Sequence, residues 1–363
     1  MKALRLTVIG GGSVGMGIAA SFAIAGAQAT LLVRAASMEA LRTQGIRVTG
    51  VLGNHTIPPG LIYIDDADSA NSSSLDCDVL VVATKAYQVA DVLRSFADAH
   101  SIGSGPRSVL LLQNGWGSAD EARAVMPAKV GIFSSTMVTG FERRELSLVN
   151  VNVHAGPVRI GSLFGDNPEA IHALLTAAEA GFLPMVFEPN IENAVLTKFL
   201  LNNCLNAIGA LIGSSYGELV EDPQSRGVLI RLADEAIRVL GATRKYRSFD
   251  SGLHYVESSL IPIVVPKARA HRSSMLQDIE AGRKTEIDYL NGAVLKMGRS
   301  CGIDTPINET VLSLIQAMER RAPSSLRHLR WVPIKARRAS ETQSLGNHTS
   351  ATDAFPALRI HPT

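Results

Sequence analysis

Two patterns of apolar and polar positions divide the chain. The first half contains short apolar runs typical of buried parallel strands, namely LRLTVI, ATLLVR, VLVVAT and SVLLLQ. From Ile191 onward, long apolar stretches with helical spacing replace them, and strand signals become rare. The pattern predicts an α/β chain with a sheet-forming domain over residues 1–189, an all-helical domain over 190–322 and an extension over 323–363.

A glycine-rich turn separates the first predicted strand from the first predicted helix. Its sequence, GGGSVG, is a GxGxxG pattern between a strand and a helix inside a βαβ unit. Such glycines allow a tight turn, close approach of a pyrophosphate and close helix packing, while the helix N-terminus supplies amide donors. A turn without a ligand is the alternative. We predict a Rossmann-type domain with cofactor contacts at Gly10, Gly11, Gly12, Ser13, Val14 and Gly15.

Three polar residues follow predicted strands at the edge where doubly wound sheets bind ligands. Arg34 ends the second strand, where NAD enzymes usually carry a carboxylate, and its guanidinium favours the 2′-phosphate of NADP. We expect Lys85 to contact the cofactor and Asn114 to contact the nicotinamide ribose or the substrate. A solvated side chain at Arg34 or Lys85, and a plain Asn-Gly turn at Asn114, are the alternatives.

Lys198, Asn202 and Asn206 recur every four residues in an otherwise apolar segment, LTKFLLNNCLNAIGALIG. Residues at this spacing share one face of a helix, about 6 Å apart along its axis. Burying an ammonium and two amides costs free energy unless they find partners, and burial lowers the pKa of a lysine. The stripe therefore predicts a catalytic wall, although interhelical amide bonds with Lys198 reaching the surface are the alternative.

Ser274 and Glu286 lie in the later helical segments, and each allows two interpretations. Ser274 with Gln277 fits a helix-capping box, and Glu286 suits a first helical turn that Thr285 begins. In the functional interpretation, Ser274 binds a substrate carboxylate and Glu286 holds Lys198. Spacing alone leaves both interpretations open.

Composition describes an ordinary globular chain of 363 residues, 46% hydrophobic and 19% charged, with a net charge of +2 that does not indicate nucleic acid binding. Residues 321–363 are basic, and we expect them to form a flexible extension. Three unpaired cysteines and the lack of zinc-ligand spacing predict a reducing, cytoplasmic location without a metal site. Residues 6–33 carry no charge, but their glycines indicate a strand, a turn and a helix. No other stretch looks long and apolar enough to span a membrane.

These motifs together resemble ketopantoate reductase over residues 4–318, most specifically in HRSSMLQDIEAGRKTEIDYLNGAV. The resemblance implies an NADPH-binding Rossmann domain and a helical domain of the 6-phosphogluconate dehydrogenase type. It implies a catalytic Lys198 with Glu286 as its acidic partner, which also contacts the cofactor. It places substrate contacts at Asn114, Asn202, Asn206 and Ser274, and places Arg34 and Lys85 around the adenosine 2′-phosphate.

The activity implied by the resemblance is NADPH-dependent reduction of 2-dehydropantoate (ketopantoate) to pantoate in pantothenate and coenzyme A biosynthesis. Tyr216 and His271 replace asparagines common in the family, so a paralogous reductase of another 2-oxo acid is the first alternative. A non-catalytic NADP sensor is the second. We expect a small-molecule 2-oxo acid partner, no nucleic acid and no membrane, and leave a homodimer open.

Overall fold

The computed structural model describes residues 3–67, 76–98 and 105–321, and residues 1–320 form one compact unit. Its main sheet has eight strands in the order β12-β11-β8-β7-β6-β1-β2-β5. The strands of this sheet are β1 Arg5–Ile9, β2 Gln28–Val33, β5 Tyr63–Asp66, β6 Val79–Val82, β7 Ser108–Leu111, β8 Gly131–Thr136, β11 Val158–Gly161 and β12 Met185–Phe187.

The six strands from β5 to β8 run parallel, and β11 joins β8 in the antiparallel sense. The predicted Rossmann-type sheet is confirmed. Strands β6, β7 and β8 are buried at every position; β6 is apolar throughout, whereas β8 also buries the polar residues Ser134, Ser135 and Thr136. The strand order reverses at β1, between β2 and β6, so the ends of these three strands define the ligand-binding edge.

A second, four-stranded sheet has the order β4-β3-β10-β9. Its strands are β3 Ile46–Gly50, β4 His55–Ile57, β9 Thr139–Arg143 and β10 Leu148–His154. Helix α1, Ser13–Ile24, contacts this sheet as well as the main one. The other α-helices that the structure describes in the first half are α2 Ala35–Gln44, α3 Val89–Asp98, α4 Ser118–Val125 and α5 Glu169–Ala178, and a 3₁₀ turn, Ala86–Gln88, precedes α3.

The described residues from Ile191 to Glu319 are mainly helical. The helices are α6 Ile191–Ile212, α7 Tyr216–Glu221, α8 Pro223–Arg244, α9 Gly252–Tyr255, α10 Val265–Ala268, α11 Ser274–Glu280, α12 Asn291–Ser300 and α13 Pro306–Glu319, with a π-helical stretch Val256–Val264. One apolar cluster from Leu196 to Ile315 forms their core, while two others lie within residues 4–185. Separate cores accord with the predicted boundary near 190, which stays a prediction.

Three sequence expectations need correction. Thr285 does not begin a long helix: its hydroxyl accepts from the Ile287 amide and starts the short 3₁₀ turn Ile287–Tyr289. Helix α11 is capped by Ser273, not by Ser274. From the sequence we also expected no further segment long and apolar enough to span a membrane. Helix α6 is long and apolar enough by length and composition, although 67% of its apolar window is buried in the fold. The extension over 323–363 lies outside the described residues.

Candidate active site

Lys198 occupies the middle of α6, on the face that meets the main sheet. Its ammonium donates to the backbone carbonyl of Met137, which follows β8, with an Nζ–O distance of 2.7 Å. Burial lowers the pKa of Lys198 to about 8, against the opposing effect of Glu286. An ammonium with such a pKa can lose its proton near neutral pH, as proton transfer requires.

The two asparagines of the stripe are both buried, at 6% and 4% exposure. Asn202 Nδ2 donates to Asn114 Oδ1 over 3.3 Å, so α6 meets the loop after β7 at the two amides predicted to bind substrate. Lys198 and Asn202 therefore line one face, and Asn114 reaches that face from the edge of the sheet. The alternative of purely interhelical bonds does not describe this pair, because Asn114 belongs to the sheet.

Asn206, one turn further along α6, has a different partner. The Tyr216 hydroxyl donates to Asn206 Oδ1 over 2.8 Å, and the Tyr216 ring meets the His271 ring edge to face at 5.0 Å. Burial raises the pKa of Tyr216 and lowers that of His271, so the phenol stays protonated and the imidazole neutral. The two residues that depart from the family pattern thus form one uncharged cluster beside Asn206, on the face of α6 predicted to bind substrate.

Glu286 does not form a direct ion pair with Lys198 among the described residues. Its carboxylate Oε1 accepts instead from the Ala86 amide over 2.9 Å, and Glu286 is only 7% exposed. It acts on Lys198 through its charge, raising the lysine pKa. The sequence predicted a contact that orients Lys198; the structure gives electrostatic support at a longer distance.

Lys85 follows β6 at the ligand-binding edge, as predicted, but its ammonium pairs with Asp278 of α11 at 2.5 Å. Asp278 is 3% exposed and also accepts from Arg283 Nε over 2.9 Å. Burial lowers the pKa of Lys85, and Glu286 and Asp278 more than offset that effect, so the pKa is raised. Sequence reasoning missed Asp278. The role of Lys85 at a 2′-phosphate stays a prediction.

Two adjacent serines begin α11. Ser273 is fully buried; its hydroxyl accepts from the Leu276 amide and donates to the Asn206 carbonyl over 3.1 Å. Ser274 is exposed at the first helical position, so its hydroxyl is accessible to a ligand. Ser273 therefore links the start of α11 to α6 by a hydrogen bond, and Ser274 remains the predicted substrate contact.

The glycine-rich turn has the geometry of a dinucleotide cradle. Gly10 adopts φ +118°, and a Cβ atom on Gly15 would lie 1.9 Å from the Gly10 carbonyl oxygen. A Cβ on Gly12 would meet no atom within 4 Å, so the backbone is open there to a pyrophosphate. At the same edge, the buried atoms Thr84 Oγ1 and Gln113 Oε1 have no hydrogen-bond partner within the described part of the chain. These observations fit a bound dinucleotide.

Arg34 lies directly after β2, exposed, as the sequence predicted. Sequence reasoning missed Arg143, which donates from Nη1 to the Gly11 carbonyl over 3.2 Å. Arg143 and Gly11 are separated by 132 positions in the chain, and no sequence motif connects them. Only the pairing of β9 into the second sheet brings Arg143 to the turn.

Two surface cavities lie elsewhere. One, of about 460 Å³, lies between Leu295 and Glu309 and includes none of the predicted site residues. The other, of about 370 Å³, includes His271 together with residues of β9 and β10. Lys198 lines neither cavity, so the candidate site is defined by its hydrogen bonds. The second cavity opens beside the Tyr216–His271 cluster.

A parallel sheet with a phosphate-cradling turn, facing a partly buried lysine on a helical wall, defines a dinucleotide-dependent reductase. Comparison with known proteins agrees. The family models described as "Ketopantoate reductase PanE/ApbA" and "Ketopantoate reductase PanE/ApbA C terminal" match residues 6–164 and 190–319. The chain belongs to the ketopantoate reductase family, whose members and relatives are oxidoreductases acting on 2-oxo acids.

Individual relatives extend over nearly the whole fold. The chain is 26% identical to the 2-dehydropantoate 2-reductase of Aquifex aeolicus (87% of this chain, 97% of the relative). It is 29% identical to that of Archaeoglobus fulgidus (88% and 99%). The solved structure of D-mandelate dehydrogenase with NADH and anilino(oxo)acetate shares the fold, with a TM-score of 0.75 at 20% identity (87% and 98%). The resemblance found in the motifs is confirmed.

Proposed function

We propose that this chain catalyses the NADPH-dependent reduction of 2-dehydropantoate to pantoate, in the cytoplasm. The observation that carries the proposal is the partly buried Lys198 ammonium, with a pKa of about 8, beside the Asn202–Asn114 pair. The family name and the relatives support the choice of substrate.

NADPH, when bound by the glycine-rich turn, would supply the hydride that reduces the ketone carbon of the substrate. The chain's own residues manage the charge that develops on the ketone oxygen. Lys198 donates a hydrogen bond and then its proton to that oxygen, and Glu286 keeps Lys198 charged beforehand. Asn202 and Asn114 present amide groups to the substrate, and the exposed Ser274 hydroxyl binds its carboxylate.

The test follows NADPH oxidation by absorbance with purified protein and ketopantoate, with NADH in parallel. We expect rapid turnover with NADPH. Lys198→Ala should lower turnover by about two to four orders of magnitude, the usual contribution of general acid catalysis, while NADPH still binds. Near-normal turnover in that variant would remove Lys198 from the mechanism.

A second candidate substrate is another 2-oxo acid. The Tyr216 hydroxyl already donates to the Asn206 side chain, and the Tyr216 ring contacts His271 beside it, so the face of α6 offered to a substrate differs from the family pattern. A panel of branched and aromatic 2-oxo acids under the same assay separates the two. Higher kcat/KM for a panel member than for ketopantoate would identify the paralogous activity. NADPH binding without turnover of any panel member would indicate a sensor.

A further inference from the structure

Strand β9 of the second sheet crosses the glycine-rich turn of the first. The Ser13 hydroxyl donates to the Phe141 carbonyl over 3.1 Å. The Phe141 ring packs directly against Gly17, so closely that a Cβ atom at Gly17 would lie 2.4 Å from the ring. Arg143, two residues on, is thereby held at the turn. Its Nη1 donates to the Gly11 carbonyl, and its Nη2 donates to Ser37 Oγ over 3.0 Å.

Ser37 belongs to the first turn of α2, which begins immediately after Arg34. Arg143 therefore contacts both of the segments, the glycine-rich turn and the β2–α2 junction, that flank the adenosine ribose in a Rossmann-type fold. The second sheet, which the dinucleotide fold itself does not require, delivers this side chain from 106 residues away in sequence.

The charges at this junction are unbalanced. Burial lowers the pKa of Arg143, and the positive charge of Arg34 lowers it further. Neither arginine has a carboxylate within 4 Å in the part of the chain that the structure describes, whereas the neighbouring Arg144 pairs with Glu142 at 2.8 Å. Arg143 is held at the start of α2 by its bond to Ser37, and Arg34 directly precedes that helix, so two positive charges without a neighbouring acid favour an anion at this junction.

We propose that Arg143 is a specificity-determining residue that, with Arg34, binds the 2′-phosphate of NADP. The phosphate dianion supplies the negative charge that the two arginines lack. Arg34 can donate to two of its oxygens, and Arg143 keeps one Nη1 N–H for it while its other four N–H groups hold the side chain in place. The ribose 2′-hydroxyl of NAD offers neither. This inference rests on the proposed dinucleotide cofactor but not on the identity of the oxo acid.

A purely structural role for Arg143 is the competing explanation. Its Nε and Nη2 also donate to the Glu145 and Leu146 carbonyls, over 3.2 and 2.9 Å, and so brace the turn between β9 and β10. A brace would affect stability and would affect every nucleotide equally. Only a phosphate ligand would change the preference between nucleotides that differ at the 2′ position.

The experiment measures binding by calorimetry, without any oxo acid. The probes are adenosine 2′,5′-bisphosphate and AMP, which differ only by the 2′-phosphate, followed by NADPH and NADH. Arg143→Ala should weaken the bisphosphate at least tenfold, about 1.4 kcal/mol, and leave AMP within twofold. The matched control is Arg144→Ala, which removes the adjacent, exposed arginine and should change neither probe.

Equal weakening of both probes, or no change in either, would overturn the proposal. If Arg143→Ala does not fold, Arg143→Lys keeps the positive charge but loses the planar guanidinium donors. It should weaken binding of the bisphosphate, but not of AMP, by a smaller factor that grows with salt concentration. A selective loss of the bisphosphate in a protein that reduces no oxo acid would refute the proposed substrate alone. An unselective result in a protein that reduces ketopantoate would refute only the role of Arg143.

Discussion

Replacing Glu286 by glutamine should move the pH dependence of the reaction, because Glu286 raises the pKa of Lys198 through space. Reduction requires the Lys198 ammonium as proton donor, so kcat/KM should fall as pH rises through the lysine pKa of about 8. The reverse oxidation requires the neutral amine and should rise over the same range. Without the Glu286 charge, both changes should occur at lower pH.

The size of the change follows from the geometry. Lys198 and Glu286 do not form a contact pair within 4 Å, so their attraction is below the roughly 4 kcal/mol of two charges at that distance in an effective dielectric of about 20. Since one pKa unit corresponds to about 1.4 kcal/mol, the shift is bounded at about three units. We expect about one unit. The glutamine amide oxygen can still accept from the Ala86 amide, so the local structure is retained.

The assay is the pH profile of kcat/KM in both directions, with the 2-oxo acid at a fixed NADPH concentration for reduction and the 2-hydroxy acid at a fixed NADP+ concentration for oxidation. Glu280→Gln is the matched control, because Glu280 is an exposed carboxylate of α11 paired with Arg272. An unmoved profile in Glu286→Gln, or an equal movement in Glu280→Gln, would refute the electrostatic reasoning.

Three further outcomes follow from single contacts. Asp278→Asn should lower the free energy of unfolding in urea by about 2 kcal/mol, less than the 3–5 kcal/mol of a fully buried pair because Lys85 is 31% exposed; an unchanged midpoint would contradict this. Tyr216→Phe leaves the buried Asn206 oxygen without its donor, so we expect a loss of about 1–3 kcal/mol by the same method and an altered KM; a silent variant would exclude the bond. Gly15→Ala should abolish NADPH binding in calorimetry, because its Cβ would lie 1.9 Å from the turn carbonyl; retained affinity would refute the cradle.

Local patterns were enough to predict the parts of the site that lie within one element. The four-residue spacing placed Lys198, Asn202 and Asn206 on one face of α6, and GxGxxG placed the cradle between β1 and α1. Both depend on periodicity or on turn chemistry, which are properties of consecutive residues. The family resemblance gave the same residues their expected roles.

Contacts between distant segments could not be predicted in this way. The acceptor for Lys198 is a backbone carbonyl at Met137, which has no side-chain signature, and Arg143 reaches the turn only through the pairing of β9 with β10. The capping errors have a similar origin. Adjacent serines satisfy the same spacing rule, and the Thr285 amide donates to Glu319 of a later helix, so tertiary contacts decide where α11 and its successor begin.

The bond between the Ala86 amide and Glu286 joins the edge of the sheet to the helical region that carries Lys198. The same carboxylate thereby acts on two lysines from opposite sides of the site, Lys85 and Lys198. Separation of these two regions would remove the charges of Glu286 and Asp278 from the sheet edge and lower the proton affinity of Lys85. Contact between the two regions and proton binding are therefore linked with opposite signs at the two lysines: the contact raises the pKa of Lys85 and so favours its protonated form, whereas burial lowers the pKa of Lys198 and so favours release of its proton.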